Sequence, residues 1–379
     1  MTSKERLEKA WSFLEPDRVP IELRITQVAR EHPAAKRLVQ LIDEYADNFY
    51  GCERKVYDWG LLGRSSTYTE RIIEYVPGEY TRKELMHTTT AGCFTAITRQ
   101  PDDPEADADF HWEKRFITSS CDLERLLDVP LEVGPINVSA FMETVKQVGD
   151  RGLITFGLLH PLGQLVRNAT MEEVYMWFID CPDLIHRYLE KTTDYLVQVI
   201  DTMMNVGIGP YFGVAAHEML IPPWAGPSLF EEFVVPYDKR ICEVIHRHGG
   251  KLRAHCHGNA MMYLERFADI GIDAIEPLEG APTGDCELAE AKRCVGGRML
   301  LSGNIPSIYF NTWTAEQVRE AVREAIRVCA PGGGFTLRTT GGMAGTSAVQ
   351  NSEQLGRIIK NCEAYMLAGL EFGGYPITL

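Results

Sequence analysis

Gly249-Gly-Lys-Leu-Arg-Ala-His255-Cys-His-Gly258 is the stretch on which the reading of this chain turns. Two glycines end a helical pattern, a short apolar strand follows from Lys251 to Ala254, and the strand runs out into two histidines. Side chains alternate along a strand, so His255 and His257 share one face while Cys256 points the other way. Two imidazoles about 7 Å apart along the backbone can converge on one first-row divalent ion. The pair therefore reads as a metal site at the carboxyl end of a strand.

Outward from that strand, apolar runs alternate with helical patterns from residue 150 onward. The strand candidates are Leu153–Leu159, Tyr211–Ala216, Lys251–Ala254, Asp273–Leu278, Met299–Ser302 and Gly334–Arg338. Ser228 with Glu231, and Thr314 with Gln317, have the spacing of capping boxes that open helices. Val318, Val322, Ala325, Ile326 and Cys329 follow the second box at helical spacing, and Gly332 to Gly334 stop that helix. Leu355, Ile358, Ile359, Cys362, Tyr365 and Met366 form one apolar stripe of a closing helix.

Two earlier strands are expected at Val19–Ile25 and near Lys55 to Leu61, which brings the number to eight. Eight strands with βα alternation point to a (β/α)8 TIM barrel and not to a doubly wound sheet. Residues 64–148 break the rhythm. Runs from Thr67 to Val76 and from Thr88 to Thr98 look like hairpin strands, and Pro101 to Asp109 is an acidic loop. This region is expected to be a hairpin-rich, lid-like insertion covering the barrel mouth within one domain, 1–379.

Composition bounds the function. With 379 residues, 45% hydrophobic and 24% charged, the chain is an ordinary globular protein with enough length for a large core. A net charge of −15 argues against nucleic acid or an anionic membrane as partner. The charged start has no signal-peptide core and no run approaches a membrane span, so a cytoplasmic location is expected. Ten scattered cysteines without a Cys-x-x-Cys match a reduced compartment.

In such a barrel the chemistry sits just after the strands. Those positions hold His160, His217-Glu218, His255-Cys-His257, Glu276 and Glu279, Asn304, and Arg338-Thr-Thr340. Each alone could be a solvated loop end; together they read as an active-site rim. His255, His257 and Glu218 would supply two imidazoles and one carboxylate, the ligand set of many catalytic zinc sites, with His217 as the alternative third ligand. Alternation lets only one of His217 and Glu218 face the ion. His246 and His248 lie in the last turn of a helix, where they complement its dipole. Pro331-Gly-Gly-Gly334 precedes a strand and is not a phosphate cradle.

Three further segments carry a family resemblance: Ser3 to Trp11 with Pro16-Asp-Arg-Val-Pro20, Phe230-Glu-Glu-Phe-Val-Val-Pro236, and Ser302-Gly-Asn-Ile-Pro306. Over essentially the whole chain the pattern resembles the uroporphyrinogen decarboxylase superfamily, which implies a (β/α)8 barrel. The decarboxylase branch uses no metal and carries Arg-Gln-Ala-Gly-Arg-Tyr after strand one; here that stretch reads Arg24-Ile-Thr-Gln-Val-Ala-Arg30. The cobalamin-linked methyltransferase branch holds zinc with His-x-Cys on strand five and a Cys after strand eight. This chain matches it at His255, with His257 in the first Cys place and Gly341 in the second.

Imidazole and carboxylate in place of thiolates make a harder site that suits an oxygen ligand. The resemblance thus implies a zinc-dependent methyltransferase that demethylates an O-methyl compound and passes the methyl group to a corrinoid. Asp109-Phe-His111 lacks the glycine of a corrinoid lower-ligand motif, so the cobalamin would arrive on a separate protein. Glu218, His160, Glu276 and Glu279 are the candidate catalytic groups, and Arg24, Asn304 and Arg338 the candidate substrate contacts. A homodimer is left open. The competing readings are a metal-free decarboxylase or lyase that grips a carboxylate with Arg24, Arg30 and Arg338, and a scaffold protein that has lost its last ligand at Gly341.

Overall fold

The computed structural model describes residues 1–52, 56, 57, 59, 66–102, 111–347, 349 and 351–379. Its strands are β1 (Asn48–Tyr50), β2 (Thr67–Val76), β3 (Tyr80–Thr89), β4 (Gly92–Pro101), β5 (His111–Lys114), β6 (Gly152–Leu158), β7 (Tyr211–Ala215), β8 (Lys251–Cys256), β9 (Ala274–Pro277), β10 (Leu300–Ile305) and β11 (Phe335–Thr339). The chain divides into two compact units. The first comprises Met1–Glu53, Ser139–Leu158 and Ile208–Leu379; the second comprises Arg54–Val138 and Leu159–Gly207.

The first unit holds a seven-stranded parallel sheet in the order β1-β6-β7-β8-β9-β10-β11. Among its strands β9 is buried at every residue, as a parallel strand covered on both faces is. All six strands expected after residue 150 are present, each within a few residues of its expected ends. With its βα alternation, the sheet is consistent with a TIM-like fold.

The early strands differ from expectation. Val19–Ile25 is no regular strand; it makes one parallel bridge, Ile21 to Leu337. Leu337 N–H donates to Pro20 O at 2.9 Å and Glu22 N–H to Leu337 O at 2.8 Å. On its other side, side chains replace part of a ladder: Ile21 N–H donates to Asp47 Oδ2 at 2.9 Å and Leu23 N–H to Asn48 Oδ1 at 3.1 Å. The segment is thus tethered to β11 and to the start of β1 without regular pairing to β1. The strand expected near Lys55 to Leu61 falls largely on residues 53–55, 58 and 60–65, outside the described residues. The early strand that is present, β1, is three residues long and too short to show a pattern.

The helix Ser3–Trp11 fixes which end of the sheet carries the site. Leu7, Ala10 and Trp11 bury themselves against Phe49, Leu153, Ala274 and Leu300. The last three open β6, β9 and β10, and the Trp11 ring also lies 5.4 Å from that of Tyr211, which opens β7. The amino ends of the strands are therefore filled with apolar side chains, and the carboxyl ends are left for polar ones.

The second unit carries the antiparallel sheet β2-β3-β4-β5. The expected single run from Thr88 to Thr98 breaks at Thr90-Ala91, where the chain turns between β3 and β4. Gly92, with φ of 104°, accepts the left-handed backbone this turn needs. Most of the acidic loop, including Asp109, lies in 103–110, outside the described residues, and His111 opens β5. The helix Pro182–Asn205 is tied in by Lys191 Nζ, which donates to Leu127 O and Val129 O at 2.5 and 2.6 Å.

The two proposed capping boxes part company. At the helix Ala315–Cys329, Thr314 N–H donates to Gln317 Oε1 at 2.8 Å and Gln317 N–H donates to Thr314 Oγ1 at 3.3 Å. The helix Pro227–Phe233 instead starts from Gly226, because Pro227 with its fixed φ takes the first helical position and leaves Ser228 inside the first turn. Thr314→Ala should therefore lower stability by about 1 kcal/mol. An unchanged denaturation midpoint would show that the box contributes nothing.

Candidate active site

Alternation along β8 turns Arg253 and His255 to one face, and parallel pairing sets Glu276 of β9 directly beside His255. His255 Nδ1 lies 2.8 Å from Glu276 Oε1. Past the strand end, His257 Nδ1 lies 3.2 Å from Glu279 Oε1, and Glu279 Oε2 accepts the Gly258 N–H at 3.0 Å. The two imidazole rings stand 4.5 Å apart, nearly perpendicular. Each histidine thus has a carboxylate at Nδ1, and among the described residues neither Nε2 makes a hydrogen bond. That is how metal-binding histidines are commonly held, with the far nitrogen fixed by a carboxylate and the near one kept as a lone pair. Glu276 and Glu279, expected as proton-handling groups, stand behind the imidazoles. Cys256 points away, buried, with its thiol pushed well up by that burial.

A buried charge network backs this pair. Glu22, 6% exposed, receives Arg253 Nη2 at 3.0 Å on both oxygens, Ser302 Oγ at 2.7 Å and Thr336 Oγ1 at 2.6 Å. Arg338 bridges onward, with Nη1 3.4 Å from Glu22 Oε2 and Nη2 2.9 Å from Glu276 Oε2. A continuous line runs Arg253, Glu22, Arg338, Glu276, His255. Burial pushes the Glu276 carboxyl up, but Arg338, Arg253 and His255 outweigh it and hold it far below the ordinary carboxylate range. Glu22 is lowered by the same balance: burial raises it, while Arg253, Arg338 and the two hydroxyls prevail. The hydrogen bond that the His257 imidazole donates to the Glu279 carboxylate raises its pKa against its burial.

The other rim residues have contacts of their own. His217 is fully buried, with Nε2 2.6 Å from Asp238 Oδ2 and its ring edge-on to Phe267. Glu218 sits in the turn after β7, accepts the Ala216 N–H at 3.2 Å, and adds its charge to the field on His257. His160, in the second unit, caps the helix Pro161–Asn168 by accepting the Leu162 N–H at 3.2 Å. Asn304 is half-buried opposite Arg338 in the ladder. Arg24 is exposed, its guanidinium 5.5 Å over the Tyr50 ring, whereas Arg30 pairs with Asp43 at 2.5 Å. His246 pairs with Asp273 at 2.8 Å, the structural role expected of it. A cavity of about 350 Å³ opens at the carboxyl halves of β6, β7, β8, β9 and β11, lined by Glu22, Arg24, Arg253, His255, Glu276 and Arg338 among others.

Residues 161–362, over half of the sequence, match the family model of uroporphyrinogen decarboxylase (URO-D). The chain belongs to the uroporphyrinogen decarboxylase family. It is 30% identical over 161 residues to the uroporphyrinogen decarboxylase of Cupriavidus necator, a match covering 40% of each chain. To that of Dechloromonas aromatica it is 29% identical over 136 residues, covering 34% of this chain and 35% of the relative. The matched stretch thus spans well under half the length of these curated relatives. A methyltransferase from Methanosarcina mazei superposes over 98% of this chain and 99% of its own, with a TM-score of 0.58 at 17% identity, a likeness of fold.

In this chain, position 341 is decided by packing. Gly341 N–H donates to Ser307 Oγ at 3.1 Å, and a Cβ at 341 would stand 2.5 Å from that oxygen. The hydroxyl occupies the space that a larger side chain would need. Gly341→Ala should cost about 1–3 kcal/mol by overpacking, and Ser307→Ala in the same chain should recover most of it. Additive losses in the double variant would show that the two residues do not compete for this space.

Among the described residues no helix is long and apolar enough to cross a membrane.

Proposed function

We propose that the chain is a zinc-dependent methyltransferase that removes a methyl group from a small O-methyl donor and delivers it to a corrinoid on a separate protein. The observation that supports this most is the pair of adjacent imidazoles, each with a carboxylate on Nδ1 and Nε2 left for a metal. His255 and His257 would hold Zn²⁺ with Glu218 as third ligand and His217 as the alternative. The ion would supply Lewis acidity, drawing charge from the donor oxygen as the methyl group departs and the bonding pair stays on oxygen. Glu276 and Glu279 would keep the imidazoles in the tautomer that offers Nε2. Arg24, Asn304 and Arg338 would orient the donor.

Elemental analysis of the purified protein beside His257→Ala tests the metal half. About one zinc per chain, lost in the variant, is the expected result; no metal in either removes the Lewis-acid reading. Methyl-ether donors incubated with a cobalamin(I)-loaded carrier test the other half, through the methylated corrinoid spectrum. The names of the matched relatives favour a second reading, a metal-free decarboxylase. Release of CO₂ from a carboxylated substrate by zinc-free protein would establish it.

A further inference from the structure

The two carboxylates behind the imidazoles are held in different ways. Glu279 gives one oxygen to His257 Nδ1, and its other oxygen takes the Gly258 N–H at 3.0 Å, a donor fixed by the backbone. Glu276 gives Oε1 to His255 Nδ1 at 2.8 Å, but its buried Oε2 makes no hydrogen bond among the described residues. What stands at Oε2 is a charge, Arg338 Nη2, 2.9 Å away and out of line for a hydrogen bond. A buried ionised group must be paired, and for Glu276 Oε2 the pair is this guanidinium.

Arg338 is itself anchored. Its Nη1 lies 3.4 Å from Glu22 Oε2, and Glu22 is held by Arg253 Nη2, Ser302 Oγ and Thr336 Oγ1. The guanidinium is thus stretched between two buried carboxylates, with Glu276 Oε2 at one end.

We propose that Arg338 is a positioning residue for the metal site: by holding Glu276 at Oε2 it keeps Oε1 on His255 Nδ1, so that His255 presents Nε2 to the ion. The inference deepens the metal reading above and rests on it. It makes the aim of His255 depend on a side chain, where that of His257 depends on a backbone amide. Contact of Arg338 with the donor is a separate part, and the test is made with no donor present.

The test is titration of the full, metal-free chain with Co²⁺, followed by its ligand-field spectrum, and then with competing Zn²⁺. Arg338→Met should weaken metal binding by about tenfold or more, as loss of a group behind a ligand does, and should change the Co²⁺ spectrum. Arg338→Lys keeps the charge without the planar fork and should restore part of the affinity. Because Arg338 acts through Glu276, Arg338→Met should cost little in a Glu276→Gln background and its full factor in a Glu279→Gln background. Should Arg338→Met fail to fold, Arg338→Lys carries the same comparison. Metal binding unchanged by the Arg338 variants, or weakened equally in both backgrounds, would overturn the proposal and leave the metal site standing. A wild type that binds neither ion would overturn both.

Discussion

His255→Ala and His257→Ala should each strip the protein of metal and abolish methyl transfer while the fold survives. Both imidazoles are partly exposed at the end of β8. Truncating them leaves Glu276 with Arg338 and Glu279 with the Gly258 N–H. Glu279→Gln tests the outer contact, since the amide cannot stabilise the imidazole as a carboxylate does. Loss of such a partner typically costs 10–100-fold in metal affinity, and direct ligands should cost more. A graded series, wild type above Glu279→Gln above His257→Ala in zinc affinity, is the expected result. Equal zinc content in all three would place the metal elsewhere.

Glu22→Ala should destabilise the protein by about 3–5 kcal/mol, because it leaves Arg253 buried beside a vacated carboxylate site. Stability should also depend on pH through this residue. Its native pKa lies below the unfolded value near 4.3. Its contribution is therefore complete above that value and is lost as pH falls through the native one. Melting temperature followed from about pH 6 downward should drop below pH ~4 in the wild type, and less steeply in Glu22→Gln. Parallel curves would show that Glu22 carries none of the acid lability.

The parts of this structure legible in the sequence are those governed by local periodicity. The six late strands announce themselves as apolar runs, and the position of His255 and His257 on one strand end follows from alternation alone. What was not legible depends on residues distant in sequence. Glu22 sits in Val19-Pro-Ile-Glu-Leu-Arg-Ile25, which reads as an ordinary strand. Only the approach of Arg253, Ser302 and Thr336 makes it a buried acid. Arg253 did carry a signal, since it lies two residues before His255 and must share its face. Glu276 and Glu279 were found as rim residues, yet their contact with imidazole Nδ1 atoms is a matter of register between β8 and β9. Ser228 misled because Pro227 starts the helix before it.

The tethering of Pro20 to Leu23 has a bearing on how the chain is made. Glu22 meets Thr336 across a sequence separation of 314 residues. At the usual pace of translation, about 5–20 residues per second, the first segment emerges tens of seconds before its partners exist. Throughout that interval Glu22 is a solvated carboxylate, and it enters the interior only once β8, β10 and β11 have left the ribosome. This earlier-made segment is thus among the last to dock, and a high contact order is built into the wall of the candidate site itself.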